Sequence, residues 1–303
     1  MNKQELTNLV AEILSQMNSG EPMVKGSDYK TVLIQPDRHE TAPVDCGCAA
    51  DVTAMDLRKL YLVKNPANPE KFRRIKEKTP ARLGSGKAGP RYKTLTMLRF
   101  RADHAAAQDA VFSQVPEDFA SGHGMTPVQT ECTSKDEYLT RPDKGRRFDD
   151  KNAQIIRSAV PGTPRVLIVV GDGLSSAAII ANALDCKAAI QDGLKLRNIG
   201  FGPDLFVRYC RVGAGDAIGD ITGCELVCML VGERPGLVTD KSMSAYITYR
   251  PHTGVSESAR TVVSNIHSQG TPAAEAGAYI AELIEKILTK QVSGVGLHSE
   301  AAL

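Results

Sequence analysis

The sequence predicts an α/β protein, with a Rossmann-like parallel sheet in the C-terminal half preceded by a smaller, mainly helical region and an N-terminal amphipathic helix. Three observations carry this. Apolar, β-rich runs of strand length recur at Arg165–Val170, Leu205–Cys210, Glu225–Val231 and Met243–Tyr249. Polar, glycine-rich turns follow the first three runs, at Gly171-Asp172-Gly173, Arg211-Val212-Gly213 and Gly232-Glu233-Arg234-Pro235. Alanine- and isoleucine-rich helical stretches lie between runs, so strand–turn–helix units repeat, as in a parallel sheet with crossover helices.

Taken in order, residues 1–18 place Leu6, Leu9, Val10, Ile13 and Met17 at helical spacing with polar residues opposite. Such a helix either packs on its own body or serves as a targeting or assembly peptide. Residues 19–50 form a linker rich in Ser, Gly, Pro and Asp. Residues 51–150 are predicted to be a helical domain, with helices over Val52–Val63, Pro69–Lys78 and Arg91–Val115. On the last, Leu95, Leu98, Ala102, Ala105, Val111 and Phe112 can supply a buried stripe. Residues 151–303 form the sheet domain, closing with a helix over Pro272–Leu288. Asp172, where a strand ends and a helix begins, is placed for a helix cap or a ligand contact.

The chain has 303 residues, 42% of them apolar, which is ample for a core. No apolar run reaches the roughly 18 residues that span a bilayer, and the N-terminus lacks a secretory pattern, so a soluble intracellular protein is expected. Seven scattered cysteines indicate reduced thiols. Cys46-x-Cys48 has no second pair to complete a zinc set, so no metal site is expected. The net charge of +2 hides an asymmetry: residues 56–101 carry fourteen Lys/Arg against three Asp/Glu, net +11, which leaves −9 for the rest. No nucleic-acid motif accompanies this basic segment. Solvated helix faces, or a surface for an acidic protein partner, explain it better than nucleic acid does.

Catalytic motifs fail on spacing. Gly84, Gly86 and Gly89 match G-x-G-x-x-G, but no strand precedes them and Lys87 lacks the Walker position. Those glycines suit a loop with unusual backbone angles. Gly213-x-Gly215-x-x-x-Gly219 has one residue too many for the dinucleotide fingerprint, and no acidic residue ends the following strand. Ser175 lies outside a nucleophile elbow, and none of the six histidines sits in a triad or metal pattern. The domain reads as a binding half with no catalytic residues of its own.

Val207-Arg208-Tyr209-Cys210-Arg211-Val212, Ile218-Gly219-Asp220 and Leu230-Val231-Gly232-Glu233-Arg234-Pro235-Gly236-Leu237 resemble the small (light) subunit of ethanolamine ammonia-lyase. So do Gly171-Asp172-Gly173-Leu174-Ser175, Ser264-Asn265-Ile266-His267, Ala88-Gly89-Pro90-Arg91, Ala102-Asp103-His104 and Tyr138-Leu139-Thr140-Arg141-Pro142-Asp143, all in the family's order. The resemblance implies an adenosylcobalamin-dependent lyase that converts ethanolamine to acetaldehyde and ammonia by a radical mechanism. It implies a large subunit carrying the barrel and substrate site, with the small subunit closing over the cobalamin. The family's cobalamin contacts map onto Val212, Glu233 and the neighbourhood of Val262, where the family can carry a cysteine. The D-x-H-x-x-G motif, through which some cobalamin proteins offer a histidine to cobalt, is absent. The resemblance further implies that residues 1–18 direct the chain to the shell of a bacterial microcompartment in the cytoplasm. Two rival readings are a stand-alone nucleotide-binding Rossmann protein and a microcompartment scaffold without catalytic role.

Overall fold

The computed structural model describes residues 51–79 and 81–298. The predicted N-terminal helix, the linker and Cys46-x-Cys48 lie outside the described residues.

The first predicted helix, Val52–Val63, reduces to a single 3-10 turn, Val52–Ala54. Two aspartates explain this. Asp51 accepts from the Thr53 backbone N–H at 2.8 Å, and Asp56 accepts from that of Arg58 at 2.9 Å. These side chains offer the backbone a local alternative to the helical ladder. Helix α1 (Pro69–Glu77) forms as its leading proline predicts, capped by Asn68, whose side chain accepts from Lys71 N–H at 2.9 Å.

The glycine-rich stretch that mimics a dinucleotide motif becomes a hairpin loop. Strands β1 (Lys87–Ala88) and β2 (Arg91–Tyr92) pair antiparallel, and Gly84, Gly86 and Gly89 all have positive φ, between 61° and 72°. The predicted helix from Arg91 therefore starts later, as α2 (Thr94–Phe112). Its buried residues are Thr96, Ala107 and Ala110, whereas Leu98 and Phe112 of the predicted stripe are exposed. Periodicity identifies an apolar face; it does not say which side of the helix meets the body. α2 docks through its small residues and through Asp103, which pairs with Arg82 at 2.6 Å and Arg99 at 2.8 Å.

Next come α3 (Phe119–Gly122), β3 (Thr126–Gln129), α4 (Lys135–Thr140), α5 (Asp150–Ala159), β4 (Val166–Gly171), α6 (Ser176–Leu196), β5 (Leu205–Arg208), α7 (Ala214–Thr222), β6 (Leu226–Gly232), β7 (Met243–Tyr249), β8 (Arg260–Ile266) and α8 (Ala273–Lys290). Six strands form one sheet in the order β3-β5-β4-β6-β7-β8. The pairs β3–β5, β5–β4 and β4–β6 are parallel, while β6–β7 and β7–β8 are antiparallel. The parallel sheet expected from the sequence is thus present in β3, β5, β4 and β6, and β7 and β8 extend it antiparallel. The β6–β7 connection holds no helix, so the chain turns straight back and β7 runs against its neighbours. Neither β3 nor β8 is evident from apolar runs. Both are edge strands, and β8 alternates toward solvent.

All residues of β4 and β6 are buried, matching their unbroken apolar sequences. Ile179, Ala183 and Ile190 of α6 join Ile280, Ile284 and Ile287 of α8 on one face. Ile156 and Val160, from α5 and its C-terminal boundary, join Ala214 and Ile218 of α7 on the other. The helices divide in this way because β4-to-β5 and β5-to-β6 step along the sheet in opposite directions. That reversal opens a crevice at the carboxyl ends of β4 and β5, the general ligand position in open α/β sheets.

The glycines near α7 serve packing. A Cβ on Gly219 would lie 2.1 Å from the Pro251 carbonyl oxygen, and one on Gly215 2.9 Å from Met229 Cγ. Gly219→Ala must therefore push the loop after β7 away from α7. We expect a loss of about 2–3 kcal/mol in denaturant unfolding; an unchanged midpoint would show that this loop yields freely.

Candidate functional site

The loop after β4 crosses the end of β6. Leu174 N–H donates to Gly232 O at 2.9 Å, and a Cβ on Gly232 would lie 2.0 Å from Ser175 O. The helix cap predicted for Asp172 belongs instead to Ser175, whose hydroxyl accepts from Ala178 N–H at 3.0 Å. Asp172 is buried. It accepts from Ser176 Oγ at 2.6 Å and from Val115 N–H at 3.4 Å. Burial pushes its carboxyl above the ordinary range, opposed by the Ser176 hydrogen bond and the Lys135 charge. Lys135 is itself buried and donates to Gly173 O at 3.2 Å; burial lowers its pKa. These groups brace the β4 loop from beneath.

The loop after β5 carries Arg211 and Val212. Val212 is half-buried, and its carbonyl accepts from Gly215 N–H at 3.1 Å in the turn that starts α7. Arg211 Nη2 donates to Tyr138 O at 2.8 Å, and its guanidinium lies 4.3 Å from the centre of the Tyr138 ring. The loop after β6 carries Glu233, half-buried, whose Oε1 accepts from the Tyr246 hydroxyl at 2.5 Å. Tyr246 on β7 is the cross-strand partner of Val262 on β8, so the two side chains share a face of the sheet. Val262 is 47% exposed there.

A buried ion pair sets this face. Arg260 on β8 grips Asp216 on α7 with two parallel bonds, Nη1–Oδ1 at 2.7 Å and Nη2–Oδ2 at 2.8 Å. Arg260 Nε also donates to Glu257 at 2.8 Å, and Nη1 to Thr248 Oγ1 at 3.3 Å. Arg260 and Val262 are two residues apart on one strand and so face the same way. The pair thus ties the first turn of α7, next to Val212, to the strand that presents Val262. Val212 and Glu233 fall on the loops after β5 and β6, which flank β4, and Tyr246 lies between Glu233 and Val262. Sequence reading missed Tyr246, Asp216 and Arg260; only the register of β7 and β8 brings them in.

This arrangement offers apolar surface, one carboxylate and guanidinium groups. The buried thiols of the core are not nucleophiles: burial pushes Cys186 up to about 12, and Cys210 and Cys228 up as well. Among the described residues no group of three or more His, Cys, Asp or Glu could hold a metal ion. No helix among them is long and apolar enough to cross a membrane. Fold and site together define a mixed α/β protein whose strand-end loops present a candidate binding face.

The model of the family described as "Ethanolamine ammonia-lyase light chain (EutC)" matches residues 69–298. The chain is 52% identical over 297 residues to the ethanolamine ammonia-lyase small subunit of Clostridium perfringens, covering 98% of this chain and all of that protein. It is 53% identical to the small subunits of Listeria monocytogenes and Clostridioides difficile over the same share of both chains. The chain belongs to the ethanolamine ammonia-lyase small-subunit family and is a subunit of a lyase.

Two outcomes test the supports. Asp216→Ala strands a buried guanidinium and is expected to cost about 3–5 kcal/mol in unfolding free energy, whereas a well-packed apolar replacement of both Asp216 and Arg260 should recover most of it. The Asp172 carboxyl, held above its ordinary 3.8, keeps a proton in the folded chain that the unfolded chain has already released. Its contribution to stability therefore falls as pH rises through that window. Unfolding midpoints measured against pH should lose this component of the slope in Asp172→Asn.

Proposed function

We propose that this chain supplies one half of an adenosylcobalamin pocket, and that the large subunit of ethanolamine ammonia-lyase supplies the other half and the substrate site. The assembled enzyme would convert ethanolamine to acetaldehyde and ammonia. The observation that carries this reading is the grouping of half-buried Glu233 and Tyr246 with exposed Val262 on one face of the sheet. In this reading residues 151–303, with β3 (Thr126–Gln129) completing their sheet, act as a Rossmann-like cobalamin-binding domain, and the mainly helical remainder of residues 51–150 as its companion.

The residues fit such a group. A corrin ring presents apolar edges and a rim of neutral amides. Val212 and Val262 would meet the apolar edges. Glu233 Oε2 accepts no hydrogen bond among the described residues and is free to take an amide N–H, while Oε1 is held by Tyr246. Burial and the Glu233 hydrogen bond push the Tyr246 hydroxyl pKa up, so it remains a donor at neutral pH and fixes the rotamer of the carboxylate. A valine at position 262 offers contact without the thiol that the family can carry.

When bound, adenosylcobalamin supplies radical chemistry through its cobalt–carbon bond. The protein's task is to orient the corrin, exclude water and close the site against the partner. None of these requires an acid or base from this chain. We further propose that residues 1–18 address the enzyme to a microcompartment shell.

Co-expression with the large subunit should yield acetaldehyde release that depends on ethanolamine and adenosylcobalamin and that neither chain gives alone. In that complex Glu233→Ala should raise the cobalamin Kd about tenfold, read by absorbance titration, through loss of one charged hydrogen bond. An unchanged Kd removes Glu233 from the pocket. For residues 1–18, Leu9→Glu and Ile13→Glu should abolish shell association and leave activity intact; retained association refutes the targeting role.

A further inference from the structure

A cavity of about 800 Å³ lies between the chain at residues 56–61, the C-terminal end of α1 and the turn before α8, which contributes Gln269. Five cationic side chains line it, Arg58, Lys59, Arg73, Lys76 and Lys78, against the carboxylates of Asp56 and Glu77, which leaves a net +3. Asp56 is spent on Arg58, accepting from its Nε and its Nη2 at 2.9 Å each. Lys59, Arg73, Lys76 and Lys78 make no ion pair among the described residues.

Exposed cations alone are satisfied by water, but two buried donors share this wall. Lys76 is 6% exposed, and its ammonium donates to Leu57 O at 2.9 Å and to Leu83 O. Both acceptors are neutral, and an ammonium has three donors, so one is left over. Burial lowers its pKa, opposed only by the charge of Asp56. The Tyr61 hydroxyl is buried and has no hydrogen-bond partner. Its ring is fixed in place, edge-on to Phe72 at 5.1 Å between centroids. Buried donors are costly to leave unmade, so two of them at one cavity ringed by unpaired cations point to an anion. A carboxylate offers one charge and two oxygens. A phosphate offers nearly two charges and more acceptors, and its oxygens match the planar fork of Arg73.

We propose that this cavity is a binding site for a phosphate dianion, either the free ion or the head of a small phosphomonoester. The anion takes the spare Lys76 donor and the Tyr61 hydroxyl, while Lys59, Arg73 and Lys78 balance its charge. It thereby ties three segments together: the chain before α1, α1 itself and the turn that leads from β8 into α8. A ligand held only by the folded chain raises its stability by mass action. Part of the basic excess of residues 56–101 is thus a ligand site rather than a solvated helix face.

The test uses the full chain in complex with the large subunit, titrated calorimetrically with inorganic phosphate and with glycerol 3-phosphate at an ionic strength fixed with chloride. Arg73→Gln and Lys78→Gln, both at exposed positions, should each weaken binding about tenfold, and Tyr61→Phe about fivefold. Tyr61→Phe also separates binding from folding. It removes a hydroxyl that has no partner, so the unfolding midpoint without phosphate should hold or rise, while the rise that phosphate gives the wild type should shrink. Tighter binding of glycerol 3-phosphate supports an ester as the ligand, and tighter binding of inorganic phosphate supports the free ion. A phosphate affinity that all three variants leave unchanged overturns the site. So does a midpoint that chloride at equal ionic strength raises as far as phosphate does, because screening then accounts for the effect.

Discussion

The bidentate contact between Arg260 and Asp216 is the constraint on which the candidate site depends. β8 is an edge strand with one neighbour, held in the sheet only by β7, and its outer residues alternate toward solvent. Hydrogen bonds to a single strand leave the edge free to twist. The buried guanidinium pins it to the first turn of α7, and Glu257 and Thr248 occupy further donors of the same group. Buried pairs of this kind contribute less to stability than their geometry suggests, because desolvation offsets the attraction. Their value here is positional: β8 cannot slide relative to α7 without breaking two charged bonds at once.

That constraint places a binding face beside a crevice made by topology. The reversal at β4 and β5 sends successive helices to opposite faces and leaves the loops after β4, β5 and β6 crowded together. Close backbone crossings bring them together: glycine at 232 admits Ser175 O, and Asp172 braces the β4 loop from below. The braced loops then display residues in pairs. In each of two adjacent pairs, 211–212 and 233–234, one residue is a candidate ring contact and its neighbour is an arginine, and both arginines line one cavity of about 330 Å³ between these loops and α2. The polar groups of this region are thus divided between those that hold the loops and those left open to a ligand.

Much of this was legible in the chain. Unbroken apolar runs reveal β4 and β6 because strands buried on both faces need no polar alternation. Asn68 and Pro69 mark the start of α1 because a cap and a donor-less first turn are local requirements. The edge strands were not legible, since Thr126–Gln129 and Arg260–Ile266 have few apolar residues and owe their strand form to partners distant in sequence. The Val52–Val63 helix failed for the converse reason: its apolar spacing was overridden by aspartates that bond their own backbone. Leu98 and Phe112 show that an amphipathic face can be read without knowing what covers it.

The sequence by itself determined the class of protein: the strand–turn–helix repeats, the defective glycine spacings, the missing catalytic set, and the ordered motifs of the ethanolamine ammonia-lyase small subunit. These are local or family-wide patterns that survive in one dimension. The tertiary structure decided which residues act together. Tyr246 meets Glu233 and faces Val262 only through the antiparallel register of β7 and β8, and Arg260 reaches Asp216 across 44 positions of chain. Side-chain proximity across strands is set by register and loop crossing, and no spacing along the chain encodes either one.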